Sequence, residues 1–370
     1  MSNARYLIIG AGHGGKAMAA HLALLGFEVM LYNRTPEHVA AIKSRGGIDL
    51  LAPEGVVSGF ARLHGVTSDL HEALTWADII MVVVPSFAHR PLAAQMALHL
   101  RDGQIIVLHP GRTFGALEFR HVLKQEGCQA QVVVAEAQTF IYASRSEGPA
   151  QARIFRIKEA VPLAALPAVD TPKVLEAIRP AFPQFIDGVN VLHTGLDNIG
   201  AIFHPAISLL NAGWIEATGG NFRFYHEGVT PTVARIMEAL DRERVTVAAA
   251  LGIRAVTARE WLQIAYNARG DNLHEAIHNQ VGYQNIKAPG TLQHRYLLED
   301  VPMSLVPIAN LGQRYGVSVR AMESFIRLAS IAHGTDYWRR GRTLARLGIE
   351  HLSVAELQRY VQEGVLEHWG

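Results

Sequence analysis

Apolar residues are arranged in two different ways along the chain. Before residue 188, short apolar runs at 6–10, 27–32, 79–84, 104–108 and 131–134 alternate with helix-like segments such as 36–44 and 91–100. Such alternation predicts strands joined by helices in a parallel, doubly wound α/β sheet. Further β-like runs between 150 and 166 are expected to extend that sheet. From about Val189 onward, apolar residues recur at three- and four-residue spacing, at 198–217, 231–250, 258–267, 303–315 and 319–331. This half is expected to be all-helical. Thr230 and Pro231 read as a cap and a first-turn proline, and Gly252 as the stop of the same helix.

The first strand runs into Gly10-Ala11-Gly12-His13-Gly14-Gly15, which opens an apolar helix. Gly10 permits the tight turn, Gly12 lets backbone N–H groups approach a pyrophosphate, and Gly15 lets helix and strand lie close. His13 and Gly14 complete the candidate phosphate loop. A dinucleotide-binding Rossmann domain over 1–188 is therefore expected, followed by a helical substrate domain over 189–370. At the end of the second strand Asn33-Arg34-Thr35 stands where a carboxylate would bond the ribose of NAD. Neutral Asn33 tolerates a 2′-phosphate and Arg34 can pair with it, so NADP(H) is favoured, with NAD(H) still usable. Val84-Pro85-Ser86 ends a third strand at the carboxyl edge, where ligands bind in such sheets.

Composition narrows the class without naming a reaction. The 370 residues are 49% hydrophobic and 18% charged, with a formal net charge of +1, which gives no field for gathering nucleic acid. No apolar run is long enough for a bilayer, and no leader-like segment precedes the first strand, so a cytoplasmic protein without membrane association is expected. The single cysteine, Cys128, makes a thiolate metal site improbable. His274-Glu275-Ala276-Ile277-His278 fits a zinc-binding HExxH pattern, but the pattern is short and arises readily in a chain with 18 histidines. No metal is expected.

A nicotinamide enzyme needs a proton donor or acceptor beside the carbon that exchanges hydride. After residue 190 there is one lysine, Lys287, in a loop-like stretch, so a lysine mechanism is not indicated. His204 precedes Pro205 in an apolar setting; by itself it reads as a core histidine or as an imidazole exposed at a helix irregularity.

Several segments together resemble the octopine/nopaline dehydrogenase family: Val191-Leu192-His193-Thr194, 198–205, 225–231 followed by Asp241-Arg242-Glu243-Arg244, Arg295-Tyr296-Leu297-Leu298-Glu299-Asp300-Val301, and Gly341-Arg342-Thr343-Leu344. Gly111 with 115–120 extends the similarity into the first half. The resemblance implies reductive condensation of an α-keto acid, pyruvate by default, with the amine of an amino acid. It also implies that His204 is the general acid/base, Asp300 its carboxylate partner and Arg295 the basic residue of the same motif. Glu136, Thr139 and Arg145 fall in a region that lines the substrate site in the family, and Trp261 at an aromatic position near the amino-acid pocket. Small-molecule substrates and a homodimer are expected. The bacterial members most like this chain carry an acidic residue where Asn33 stands, so their NAD preference does not transfer. Other outcomes consistent with the residues are a ketone, 2-hydroxyacid or glycerol-3-phosphate dehydrogenase, and a non-catalytic NADP(H) sensor.

Overall fold

A computed structural model describes residues 4–365. They form two compact units. The first contains the described residues up to Thr194 together with those from Gln358, and the second runs from Gly195 to Leu357. The helix Val191–Leu196 begins in the first unit, where the Thr194 hydroxyl donates to the buried Glu136 carboxylate at 2.7 Å. Near the other end of the chain, the Arg120 guanidinium lies 5.8 Å from the centre of the Tyr360 ring.

The strands are β1 (Arg5–Ile9), β2 (Glu28–Tyr32), β3 (Gly47–Leu51), β4 (Gly59–Arg62), β5 (Gly65–Thr67), β6 (Ile79–Val82), β7 (Ile105–Leu108), β8 (Val133–Ala137), β9 (Tyr142–Gly148), β10 (Gln151–Ile157), β11 (Val161–Leu166) and β12 (Phe185–Asp187). Eight of them form one sheet in the order β12-β11-β8-β7-β6-β1-β2-β5. The neighbours from β8 to β5 are parallel, with Ile8 opposite Leu31 on one side and Met81 on the other. Strand β11 departs from the parallel pattern, running antiparallel to β8. Because β1 pairs with β2 on one side and β6 on the other, the strand order reverses at β1. That reversal opens a crevice at its carboxyl end.

The remaining strands form a second sheet, β4-β3-β10-β9, that the apolar pattern did not resolve. The β-like runs from 150 to 166 therefore divide between sheets: β10 joins the second sheet and β11 extends the first. The helix α1 (His13–Leu24) is buried along most of its length because both sheets pack on it. Its polar residues must bond into the second sheet: Lys16 Nζ donates to Ser146 Oγ and the Gly148 carbonyl at 3.1 Å, and His21 Nδ1 lies 2.8 Å from the Tyr142 hydroxyl.

The second unit is helical. Its long helix Pro231–Ala250 has the expected limits, with Thr230 Oγ1 accepting from Val233 N–H. Two expected helices are interrupted. The segment 198–217 is two helices, Gly200–Leu210 and Ala212–Thr218, joined at Asn211. The segment 303–315 begins as a π-turn, Val301–Leu305, before the α-helix Val306–Arg314. Pro302 lacks the N–H of a regular ladder, and a wider turn accommodates that loss. Among the described residues no helix is long and apolar enough to cross a membrane.

Candidate functional site

In the first unit, the loop after β1 has the geometry of a phosphate cradle. Gly10 has φ +110°, and a Cβ there would meet the Val83 carbonyl at 2.5 Å and Val84 Cγ1 at 2.9 Å. A Cβ on Gly15 would collide with the Gly10 carbonyl, so only glycine lets α1 approach β1 this closely. A Cβ on Gly14 would fall 2.6 Å from the Phe140 ring, whereas one on Gly12 would meet no atom within 4 Å. Gly12 is also the N-cap of α1 and has no side chain to cap the first turn. These residues fit a dinucleotide pyrophosphate held at a helix N-terminus. His13 is exposed, and its Nδ1 accepts from Ser146 N–H at 2.9 Å, tying β9 to the loop.

Asn33 is engaged locally. Its Oδ1 accepts from Ala11 N–H at 3.1 Å and its Nδ2 donates to the Thr35 carbonyl at 3.0 Å, so the side chain fastens the end of β2 to the glycine loop. Arg34 is exposed beside it, while Thr35 is the N-cap of the 3-10 turn Pro36–His38. Val84 packs toward Gly10, the Pro85 carbonyl accepts from Ala88 N–H, and Ser86 is buried at the start of Ser86–Ala88.

The looser candidates of this unit separate. Glu136 is fully buried, and its oxygens accept from Ala116 N–H and Thr194 Oγ1, both at 2.7 Å. It ties β8 to the helices Gly115–Gln125 and Val191–Leu196. Thr139 Oγ1 accepts from Lys158 Nζ at 2.7 Å. Arg145 is exposed on β9, and strand alternation turns it away from the face on which Ser146 bonds α1.

In the second unit, His204, Asp300 and Arg295 come together. His204 lies on Gly200–Leu210 immediately before Pro205, which cannot donate to the Ala201 carbonyl. Its Nδ1 is 2.8 Å from Asp300 Oδ2; Asp300 is 0% exposed and the imidazole side chain 17% exposed. The ring stacks on Tyr296, centroids 4.1 Å apart and planes inclined by 12°. Asp300 is set at the entry to the π-turn, which Asn198 Nδ2 secures by donating to Ser304 Oγ at 2.9 Å.

Arg295 is exposed at the start of Arg295–Leu298. Its field reaches the same group: burial first, then Arg295 and His204, lower the His294 pKa, while Asp300 opposes them. Burial also raises the Tyr225 hydroxyl well above its ordinary range, helped by Tyr296, Tyr266 and Asp300 and opposed by Arg295. Tyr225 therefore stays protonated. Trp261, on Ala258–Tyr266, meets Phe203 edge-on at 6.3 Å, beside His204. Phe203, Tyr225, Trp261, Tyr266 and Tyr283 form a continuous aromatic group.

Two other sequence features take structural roles. Lys287 is exposed, with Nζ 2.5 Å from Asn221 Oδ1. The second His of HExxH, His278, directs Nδ1 at the His274 carbonyl and Nε2 at the His226 carbonyl, at 2.8 and 2.9 Å, which turns both nitrogens from a shared metal. Sequence reasoning missed Tyr296, although it lies between Arg295 and Asp300 in the motif. It also missed Lys158, which no local pattern marks.

The comparisons agree with this division of parts. Residues 188–333 match the NAD/NADP octopine/nopaline dehydrogenase alpha-helical domain, and residues 6–115 match the NAD-dependent glycerol-3-phosphate dehydrogenase N-terminus. An opine dehydrogenase of Arthrobacter sp. (strain 1C) is 36% identical over 357 residues, 96% of this chain and 98% of that protein. The fold is shared with octopine dehydrogenase in complex with NADH and agmatine, at TM-score 0.82 and 20% identity over 99% of this chain and 100% of that one. Yersinopine dehydrogenase with NADP+ bound gives TM-score 0.73 and 16% identity over 98% and 99% of the two chains. With a relative this similar along nearly its whole length, the chain belongs to the opine dehydrogenase family of NAD(P)-dependent oxidoreductases.

Proposed function

We propose that the protein joins an α-keto acid such as pyruvate to the amine of an L-amino acid and reduces the resulting imine, giving a secondary amine dicarboxylate. The observation that carries this reading is the 2.8 Å pairing of His204 Nδ1 with the buried Asp300. Asp300 fixes the tautomer with the proton on Nδ1 and stabilises the imidazolium, which leaves Nε2 to exchange protons with substrate. As the amine attacks the keto carbon, Nε2 accepts a proton from nitrogen. It passes that proton to the keto oxygen, completing the carbinolamine, and then relays the second amine proton to the resulting hydroxyl, which departs as water as the C=N bond forms; the imine nitrogen takes up a solvent proton when hydride reaches carbon. The exposed Arg295 fork holds a substrate carboxylate, and the aromatic group around Trp261 accommodates an apolar donor side chain. The nicotinamide cofactor, held by the Gly10–Gly15 loop, supplies the hydride.

NADP(H) is the preferred cofactor in this reading, supported by the exposed Arg34 and by a neutral Asn33. A homodimer and a cytoplasmic location belong to it as well; light scattering and cell fractionation check them. The decisive experiment follows NADPH oxidation with pyruvate alone and with pyruvate plus each of a panel of amino acids. Turnover that requires both substrates is expected, with a secondary amine identified by mass spectrometry. Equal turnover with the keto acid alone would return the protein to the ketone reductases, and no turnover with any pair would remove the assignment.

A further inference from the structure

The turn after β8 is met by a lysine that the mechanism above does not use. Lys158 follows β10, where its N–H donates to the Ile141 carbonyl at 3.0 Å, and its Nζ donates to Thr139 Oγ1 at 2.7 Å. It is partly buried, and among the described residues no carboxylate pairs with it. Burial, then Arg112 and Arg156, push its pKa down to about 8, so the charged groups acting on it are both cations. Arg156 turns to Glu159 at 3.4 Å. Arg112 stands in a left-handed conformation, φ 58°, directly after Gly111, whose N–H donates to the Ala137 carbonyl at the end of β8. The turn after β7 and the turn after β8 are thereby joined, with Arg112 on one and Thr139 on the other. An ammonium held on a hydroxyl, in the field of cations, is completed by an anion.

Position in the sheet selects the anion. Lys158 and Thr139 lie at the end of β8, and four strand spacings separate β8 from β2, the strand before Asn33 and Arg34. At about 4.8 Å per spacing this is roughly 19 Å, too far for a group that binds the 2′-phosphate. Phe140, next to Thr139, packs toward Gly14 of the phosphate loop. The lysine therefore belongs to the half of the crevice that holds the nicotinamide rather than the adenosine.

We infer that Lys158, positioned by Thr139 and assisted by Arg112, is a carboxylate subsite at the carboxyl edge of β7 and β8 that binds one of the two condensing substrates. The inference rests on the proposed reaction, whose substrates each carry a carboxylate.

The test compares wild type with Lys158→Met, Lys158→Arg and Thr139→Val in steady-state kinetics, each variant first checked for native circular dichroism. Lys158→Met should raise KM on the order of tenfold or more for either the keto acid or the amino acid, the scale of one charge-assisted contact. The substrate affected identifies which carboxylate binds. KM for NADPH should stay unchanged, Lys158→Arg should recover most of the loss, and Thr139→Val should show a smaller rise in the same KM. Unchanged substrate constants, or a rise confined to NADPH, would overturn the subsite. Thermal shift with oxalate separates this from failure of the reaction itself: oxalate should raise the wild-type Tm and not that of Lys158→Met, whether or not turnover is found. Equal shifts in both proteins would also overturn it.

Discussion

Replacing His204 with Ala removes both the proton carrier and one partner of the fully buried Asp300. The expected result is a kcat lowered about 10²–10⁴-fold, the usual contribution of a positioned acid/base, with NADPH affinity kept because the phosphate loop is on the other unit. Since Asp300 acts through the imidazole, the double variant with Asp300→Ala should be little slower than His204→Ala alone. Losses that multiply would disprove the pairing. At Arg34 the cofactor preference is testable without disturbing the loop, because this side chain is exposed whereas Asn33 bonds Ala11 and Thr35. Arg34→Ala should cost NADPH roughly 1.5–3 kcal/mol in kcat/KM, the scale of a hydrogen bond to a charged group, and leave NADH nearly unchanged. A constant ratio between the cofactors would remove Arg34 from the 2′-phosphate. These residues were legible for unequal reasons. The glycines carry a local signal, a turn no other residue can make. His204 and Asp300 are 96 positions apart, and only resemblance joined them before the fold did. Lys158 and Thr139 meet because two strand ends do, which no window of sequence displays.

Among the elements, α1 explains why one part of the fold escaped its sequence. Its Lys16 and His21 would mark a solvent-facing side on an ordinary first helix, yet both are buried, 7% and 6% exposed, under the second sheet. That sheet is assembled from four short strands whose exposed sides carry polar residues, as in the alternation of β9, so no strong apolar run betrays it. The parallel strands are covered on both faces and read clearly. Burial has a pH consequence. His21 is held neutral, its pKa pushed down to about 4, and His109 to about 3. Unfolded histidines titrate near 6.5, so between that pH and about 4 the unfolded chain binds protons that the folded chain does not. Stability should therefore fall as pH drops through this window. His21→Gln, which can still bond the Tyr142 hydroxyl, should flatten the decline of Tm between pH 7 and 5. An unaltered slope would show that His21 is not its source.

At the scale of the whole molecule, the chain distributes its chemistry: the cofactor loop and Lys158 belong to the first unit, and His204, Asp300 and Arg295 to the second. The change from strand alternation to helical spacing near Val189 made that division visible. The first unit extends to Thr194, whose hydroxyl meets a buried carboxylate, and the return of the chain to it at Gln358 leaves no mark in periodicity. The enclosure of α1 between two sheets bears finally on how the protein meets its cofactor. A helix covered on both faces can release its amide hydrogens to solvent only when the surrounding unit opens. Amide exchange from Ala17 to Leu22 should therefore already be among the slowest in the free protein, and NADPH should slow only the first turn and the loop before it. Broad new protection along the helix would mean that the cradle is assembled by the nucleotide; its absence would mean that the protein waits with the cradle already formed.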